Sequence, residues 1–391
     1  MHSITNNNWE MHKAYQILFI ASLLLLPPFL LNGQYSSADS SIKTIMNSHK
    51  VVGMSVAVVK KGQLVYTQSF GLKNQETQTS LSNSDIFRIA SISKSFSATA
   101  IMQLVEKRKI SLEDDMSKLV GFIIRNPKYP ETPITLKMVL SHRSSINDSQ
   151  GYFSLDAINP AKNPNWAKCY NNYAPDSGYM YCNLNYNMAG TIIEKISGER
   201  FDKYIRQHIL QPLGLYGGYC VDSLDAKLFA SIYEYNADSA KFIPSPNAYA
   251  ARSEEIANYT MGYSTPIFSP TGGMKISATD LAKYMIMHSR MGKANGKRII
   301  SRRSARIMQT MISEKEQYGL ALSKSNKLID GVVLTGHTGS AYGLNSAMFF
   351  EPNKKYGFVV IINGSEQKYT DGYNAVLKKT VNSLYENIIL K

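Results

Sequence analysis

Apolar residues follow one kind of pattern at the two ends of the chain and another in its middle. Near the N-terminus, the runs Val51–Val59 and Gln63–Phe70 are separated by a Lys-Lys-Gly turn, which predicts two neighbouring strands. Near the C-terminus, turn residues separate four more predicted strands, at Tyr318–Leu322, Val332–His337, Ser346–Glu351 and Gly357–Asn363. The chain therefore begins and ends in strands.

The middle of the chain carries apolar residues at the spacing of amphipathic helices. The predicted helices are Thr135–His142, Asn185–Ile196, a helix that runs from Phe201 and ends at Pro212, a helix that begins at Thr279, Ser304–Ile312 and a terminal helix at Tyr369–Leu390. The segment Asp222–Ser269 is predicted to be irregular. These elements predict an α+β fold. One antiparallel sheet is built from both ends of the chain and is flanked by the terminal helix and a helix near Ser91. A helical lobe faces the sheet across a cleft.

The predicted helix near Ser91 places two reactive groups together. Ser91 precedes Lys94 by three residues, so both lie on the same helix face, one turn apart. No charged residue follows Lys94 until Glu106, and a helix without a polar face is normally buried. Burial lowers the pKa of a lysine, and an uncharged lysine can activate a serine hydroxyl. A second Ser-x-x-Lys pattern, at Ser40–Lys43, lies in a polar stretch, and we interpret it as chance.

Charge and composition disfavour several other functions. The formal net charge is +14, which suits anionic partners, but the Lys and Arg residues are scattered and no long basic helix accompanies them. Nucleic-acid binding is therefore not expected. The seven histidines form no metal-binding pattern, so neither a metal site nor a cofactor is expected.

The N-terminus is typical of an export signal. His12 and Lys13 precede an apolar run from Ile17 to Leu31, which is short for a membrane span and contains two prolines. We expect residues 1–33 to be a cleaved signal peptide, which makes the mature protein periplasmic or secreted, without a stable membrane span. An uncleaved N-terminal anchor is the alternative.

The chain has three cysteines, Cys169, Cys182 and Cys220. One pair can form a disulfide in an oxidising compartment. A bridge between Cys169 and Cys182 would close a polar loop next to a predicted helix, and Cys220 could compete for either partner.

Two further local patterns accompany Ser91 and Lys94. The first is Tyr181-Cys182-Asn183, just before a predicted helix, and the second is His337-Thr338-Gly339, at the end of a predicted strand. In this order, the three patterns resemble the Ser-x-x-Lys, Tyr-x-Asn and Lys/His-Thr-Gly motifs of the serine β-lactamase and penicillin-binding protein superfamily. The resemblance is to the class C β-lactamase-like branch, which includes D-peptidases and esterases. It covers roughly Val51 to Asn363 and includes the segments Ile134–Ser145, Gly190–Gly198 and Thr271–Asp280.

The resemblance implies a β-lactamase/DD-peptidase-like fold for residues 34–391. The sheet lobe would comprise about residues 45–105 and 270–391, and the helical lobe about residues 106–269. The active site would lie in the cleft between them. Arg143 and Ser145 depart from the family pattern, in which these two positions are usually Thr and Gly.

The resemblance also implies catalytic roles. Ser91 would attack a carbonyl carbon and form an acyl-enzyme, while Lys94 and Tyr181 pass its proton to the leaving group. Asn183 would hold both Lys94 and the substrate amide by hydrogen bonds. The backbone N–H groups of Ser91 and Ser340 would form the oxyanion hole.

His337, Thr338, Gly339 and Ser340 would bind the substrate, and Gly339 would allow its strand to approach the substrate closely. His337 stands where many β-lactamases carry lysine, which favours a D-peptidase or esterase over an efficient β-lactamase. Since the ordinary pKa of histidine is about 6.5, the attraction of His337 for a substrate carboxylate would fade from about pH 6 to pH 8.

The sequence thus predicts an exported serine hydrolase that acts on peptides, amides or esters, with cell-wall peptides and β-lactams among its candidate substrates. The alternative is a non-catalytic relative that binds wall peptides or a protein partner. Each residue also has a structural interpretation, in which Tyr181 is a core tyrosine, Asn183 is a helix cap and His142 holds a turn. The presence of all the motif residues together favours the hydrolase.

Overall fold

The computed structural model describes residues 35–391, so the predicted signal peptide, residues 1–33, lies outside the described residues. Seven strands form the main sheet, namely β1 (Gly53–Lys60), β2 (Gln63–Asn74), β3 (Thr79–Ser80), β4 (Ser323–Ile329), β5 (Val332–Ala341), β6 (Leu344–Glu351) and β7 (Tyr356–Ile362). Their order is β4-β5-β6-β7-β1-β2-β3, and every neighbouring pair is antiparallel. The pairing of β7 with β1 confirms a sheet built from both ends of the chain.

The α-helices lie before, between and after the two groups of strands. They are α1 (Ser36–Ser48), α2 (Ser93–Glu106), α3 (Met116–Val120), α4 (Leu136–Leu140), α5 (Asn183–Ser197), α6 (Phe201–Ile205), α7 (Gln211–Leu213), α8 (Ser253–Ala257), α9 (Ala278–Ser289), α10 (Arg302–Gln309) and α11 (Ala375–Leu384). Wider π-helical turns at Arg206–Leu210 and Tyr385–Ile389 extend α6 and α11. Short strands outside the main sheet pair Phe87–Arg88 and Gly217–Gly218 with Lys275–Ile276, and Tyr233–Asn236 with Lys241–Pro244.

Both faces of the sheet are buried, which explains why β1 is apolar almost throughout. Met54, Val56 and Val58 pack on one side with α1 and α11, whereas Ala57 and Val59 pack on the other side with α9. The terminal helix therefore flanks the sheet as expected. The Ser91 helix does not cover the second face as the sequence led us to expect; α9 does.

The helix α2 packs against α9, and the rings of Phe96 and Tyr284 stack with centroids 3.7 Å apart. Its residues from Ser93 to Met102 are all buried, and Lys94 is 0% exposed, so the predicted burial of this helix is confirmed. Ser91 itself lies in a single 3₁₀ turn, Ala90–Ile92, that leads into the helix.

Two predicted C-terminal boundaries are wrong. Tyr318–Leu322 is buried but irregular, and the strand is instead the polar Ser323–Ile329, which tolerates polar residues because it lies at the edge of the sheet. The terminal helix begins at Ala375 rather than at Tyr369, because Asp371 and Gly372 adopt positive φ angles and turn the preceding residues into a short hairpin.

Two predictions in the middle of the chain also need correction. The helix from Phe201 continues past Pro212 and ends at Gly214, whose φ is +66°. A π-helical turn precedes the proline, and this wider turn accommodates a residue that lacks an N–H donor. The region Asp222–Ser269 is not wholly irregular, since it contains a two-stranded hairpin and α8.

No helix within residues 35–391 is both long enough and apolar enough to cross a lipid bilayer.

Candidate active site

The turn that carries Ser91 is held in an unusual conformation. Ala90 has a φ of +49°, in the left-handed region that costs a residue with a side chain about 1–2 kcal/mol. Contacts on both sides hold the turn in place. The hydroxyl of Ser346 donates a hydrogen bond of 3.0 Å to the Ile89 carbonyl, and the backbone N–H of Met274 donates one of 3.0 Å to Ser93 Oγ. Backbone strain of this kind is concentrated at functional sites.

Lys94 Nζ lies within hydrogen-bond distance of three oxygen atoms. It is 3.1 Å from Ser91 Oγ, 3.0 Å from Asn183 Oδ1 and 3.0 Å from the backbone carbonyl of Thr271. The two carbonyl oxygens can only accept hydrogen bonds, so an uncharged lysine would give both of its N–H groups to them. Its lone pair is then left for the hydroxyl proton of Ser91.

Burial makes the uncharged form of Lys94 accessible, because it lowers the pKa of this side chain to about 7. The nearby negative charge of Asp148 acts in the opposite direction and limits the shift. Lys94 can therefore accept a proton near neutral pH.

Asp148, which sequence reasoning missed, organises the residues around Asn183. Its Oδ2 accepts hydrogen bonds from the backbone N–H and the side-chain amide of Asn183, at 2.8 and 3.0 Å. Its Oδ1 accepts from the backbone N–H of Leu184, at 3.0 Å, and from the thiol of Cys182, at 3.1 Å. This carboxylate caps the start of α5 and directs the Asn183 carbonyl oxygen toward Lys94. Its only signal in the sequence is a position close to the segment that resembles the family, after Ser145.

Tyr181 lies directly beside Ser91 and Lys94. The centre of its ring is 4.8 Å from Lys94 Nζ, and the side chain is 36% exposed to the cleft. Burial of the phenol group raises the pKa of Tyr181, whereas a hydrogen bond with Ser91 opposes this shift. Tyr181 thus keeps its proton at neutral pH and can relay a proton between Ser91 and a leaving group, but it does not act as a phenolate base.

The ring of His142 packs on Tyr181, with the two ring centroids 4.4 Å apart. His142 Nδ1 accepts a hydrogen bond from the backbone N–H of Cys182, and its carbonyl accepts one from Met180. Burial holds the pKa of His142 well below its usual value, so the ring is uncharged. These contacts support the structural role expected of His142, which holds the segment before α5.

Strand β5 runs past Ser91 and presents Ser340, which is exposed, to the cleft. Gly339 packs on the turn that carries Ser91. A Cβ atom at this position would lie 2.2 Å from the Ile89 carbonyl oxygen and 3.1 Å from Ala90 Cβ, so glycine is needed for the strand to pack on the Ser91 turn. The close approach of this strand to a substrate at Gly339 stays a prediction.

His337 is buried, at 6% exposure, and does not line the cleft, whereas the next residue, Thr338, is half-buried. Its Nε2 is 3.2 Å from Tyr318 Oη, and its Nδ1 contacts the Thr338 carbonyl. Burial and the nearby Lys94 lower the pKa of His337 to about 4. The expectation that His337 changes charge between about pH 6 and pH 8 is therefore wrong, because the ring is already uncharged in that range.

The hypothesis of a Cys169–Cys182 disulfide is contradicted, since all three cysteines are free and buried. The thiol of Cys169 donates to the Ala157 carbonyl at 3.3 Å, while that of Cys182 is directed to Asp148. Burial raises the pKa of Cys169 to about 11 and that of Cys182 well above its usual value, so both remain thiols.

Ser91 opens into a cleft of about 490 Å³ between the sheet and the helical region. Its polar lining includes Arg88, Ser91, Tyr152, Tyr181, Asn183 and Ser340. The fold thus brings together five of the eight predicted site residues, namely Ser91, Lys94, Tyr181, Asn183 and Ser340. Within residues 35–391, no group of His, Cys, Asp and Glu side chains is arranged to hold a metal ion.

The fold and this arrangement of serine, lysine, tyrosine and asparagine define a protein of the β-lactamase and penicillin-binding protein class. The family model described as Beta-lactamase matches residues 38–380, and the chain belongs to this family.

Among known proteins, the chain is 22% identical over 342 residues to Protein flp of Staphylococcus aureus strain MRSA252, which covers 85% of this chain but only 64% of the relative. The octameric penicillin-binding protein homologue from Pyrococcus abyssi is similar over 90% of this chain and 76% of its own, with 27% identity and a TM-score of 0.69. The D-amino acid amidase from Ochrobactrum anthropi SV3 is similar over 91% of this chain and 99% of its own, with 20% identity and a TM-score of 0.70.

The hydrogen bonds of Asp148 lead to a first prediction. In Asp148→Asn, only one oxygen remains to accept from the four donors, so Asn183 should lose its orientation. We expect kcat/KM to fall about 10- to 100-fold, as for other small displacements of catalytic groups. Because the negative charge of Asp148 raises the pKa of Lys94, its removal should lower that pKa below about 7. The rising limb of the kcat/KM profile should therefore move to lower pH.

The control for this change is Asp156→Asn, since Asp156 is exposed on the same loop. Steady-state kinetics from about pH 5 to pH 9 distinguish positioning from simple destabilisation. A fall in kcat/KM with no shift of the pH profile would show that the charge of Asp148 does not set the pKa of Lys94.

Proposed function

We propose that this chain is an exported serine hydrolase that forms an acyl-enzyme on Ser91. The observation that carries the proposal is the buried Lys94, whose Nζ lies 3.1 Å from Ser91 Oγ and is held by two carbonyl oxygens. A lysine that only stabilised the fold would gain nothing from a pKa near neutrality, whereas a general base needs such a pKa.

In the proposed acylation, uncharged Lys94 accepts the hydroxyl proton as Ser91 Oγ attacks the substrate carbonyl carbon. The bond from this carbon to the leaving group then breaks, and the proton passes through Tyr181 to the departing nitrogen or oxygen. The new ester bond between Ser91 Oγ and the carbonyl carbon replaces the bond from that carbon to the leaving group, so atoms and charge are conserved. Tyr181 suits this relay because it stays protonated and lies between Lys94 and the open cleft.

The negative charge that develops on the carbonyl oxygen needs donors that are fixed in advance. We assign this role to the backbone N–H groups of Ser91 and Ser340, which flank the cleft. The strained turn at Ala90, on which Gly339 packs closely, would keep these two N–H groups at a fixed position relative to each other. Water would then release the acyl group, with Lys94 as its base, because no carboxylate lines the cleft among the described residues.

Within this reaction class, a D-peptidase, amidase or esterase is favoured over an efficient β-lactamase. The position of the usual β-lactamase lysine is filled by His337, which is buried and uncharged at neutral pH. The similarity to a D-amino acid amidase supports the same preference. The mature protein would act outside the cytoplasm if residues 1–33 are a signal peptide.

A panel of three substrates tests the proposal. A short-chain nitrophenyl ester, a D-Ala-D-Ala peptide and a chromogenic β-lactam are compared at pH 8, where Lys94 is largely uncharged. We expect turnover of the ester, the peptide or both, with slow turnover at most of the β-lactam. Wild-type protein that binds members of the panel but hydrolyses none of them would favour the non-catalytic, peptide-binding alternative.

A further inference from the structure

Arg88 is the charged side chain in the lining of the cleft. It lies three residues before Ser91, on a short strand that pairs with Lys275–Ile276. Its Nε donates a hydrogen bond of 3.0 Å to the Gly272 carbonyl, and its Nη1 donates a weaker one of 3.4 Å to the Ala248 carbonyl. The guanidinium lies over the ring of Tyr342, 5.1 Å from its centre. These contacts fix the group but leave Nη2 without a protein acceptor among residues 35–391.

The charge of Arg88 is also unbalanced. Within the described part of the chain, no carboxylate lies within salt-bridge distance of it, and two other basic side chains, Arg252 and Lys275, are its neighbours. Burial, together with the charges of Arg88 and Arg252, holds the pKa of Lys275 well below its usual value. Lys275 is buried and donates to the Tyr219 carbonyl, while Arg252 pairs with Glu255. A fixed guanidinium with a free edge is the group that binds carboxylates best, since it offers parallel N–H donors.

The point at which Arg88 faces the residues of β5 and those that follow it indicates which part of a substrate Arg88 can reach. Ser340, the proposed oxyanion donor, lies between His337 and Tyr342 in the chain. Before Ser340 in the chain, His337 lies 6.2 Å from Tyr181 by ring centroids. After Ser340, Tyr342 follows the last residue of β5 and lies under Arg88. Tyr181 is the proposed proton donor to the leaving group, so the leaving group must lie toward Tyr181. The acyl group then extends toward Tyr342 and Arg88.

We propose that Arg88 binds a carboxylate on the acyl part of the substrate, so that the preferred substrates are anionic acyl compounds. This inference rests on the proposed function, and it adds the chemical class and the side of the scissile bond that carries the charge. Tyr152 and Tyr342 provide aromatic walls on the same side of the cleft.

The test compares matched esters that differ only in charge. The acyl-side pair is 4-nitrophenyl hydrogen adipate and its neutral methyl ester, and the leaving-group pair is 4-carboxyphenyl valerate and its neutral methyl ester. In the wild type, kcat/KM should be about 10- to 100-fold higher for the anionic member of the acyl-side pair, as expected for one charge-assisted hydrogen-bonded contact. The leaving-group pair should show no such preference.

Arg88→Gln should reduce the acyl-side ratio to about one, and Arg88→Lys, which retains the charge without the two parallel donors, should restore part of it. The control is Arg252→Gln, which removes a nearby cation that does not line the cleft and should leave the ratio unchanged. Because each result is a ratio within one variant, a general loss of activity does not alter it.

Three outcomes would overturn the inference: no acyl-side preference in the wild type, a preference confined to the leaving-group pair, or a wild-type ratio retained in Arg88→Gln. The mass of the acylated protein separates these results from a failure of the proposed function. If Ser91 is acylated by the neutral adipate ester, the hydrolase stands and only the role of Arg88 is rejected.

Discussion

Replacement of Lys94 by methionine should lower kcat/KM for an ester substrate about 10²- to 10⁴-fold, the range expected for the loss of a general base. Methionine has nearly the same length and is easily buried, so the helix α2 should keep its packing. What the variant loses is the proton acceptor 3.1 Å from Ser91 Oγ. The remaining activity should also lose the rise with pH near about 7 that Lys94 gives to the wild type.

The chain supplies a matched control in its second Ser-x-x-Lys pattern. Ser40 and Lys43 lie exposed on α1, away from the cleft, so Lys43→Met removes the same charge without touching the site. Lys43→Met should leave kcat/KM and its pH profile unchanged. If Lys94→Met keeps the wild-type profile near pH 7, another group is the base and the assignment of Lys94 is wrong.

Ser91→Ala should lower kcat by about 10⁴-fold or more, because loss of the nucleophile removes the covalent route altogether. The change deletes one oxygen atom from a half-buried side chain, so the melting temperature should change little. Ser40→Ala is the matched control and should retain full activity. Residual turnover within about tenfold of the wild type would show that Ser91 does not carry the acyl group.

The sequence allowed the sheet and the contact between Ser91 and Lys94 to be predicted because both depend on local patterns. The apolar run of β1 reflects a strand with two buried faces, and the uncharged stretch after Lys94 reflects a helix enclosed on all sides. The edge strand β4 was not predicted because its residues are mostly polar and do not alternate between apolar and polar. The start of α11 was missed because a two-residue turn reverses the chain first.

Tertiary contacts decide the roles that the sequence could not reveal. Asp148 reaches Asn183 only because the loop folds back on α5, and nothing in its neighbours along the chain shows this. His337 could be placed in a strand from its pattern, but its pKa depends on its burial beside Lys94 and Tyr318. Arg88 occurs in the same motif as Ser91, yet its unpaired guanidinium is evident only once the cleft is formed.

In the proposed mechanism, Ser91 becomes acylated with Lys94 as its base. The most direct measurement is to treat the protein with a fluorophosphonate or a fluorescent penicillin and to locate the adduct by peptide mass spectrometry. We expect one labelled peptide that contains Ser91, no label in Ser91→Ala, slower labelling in Lys94→Met and unchanged labelling in Ser40→Ala. Label on a different serine, or equal labelling of Ser91→Ala and the wild type, would contradict it.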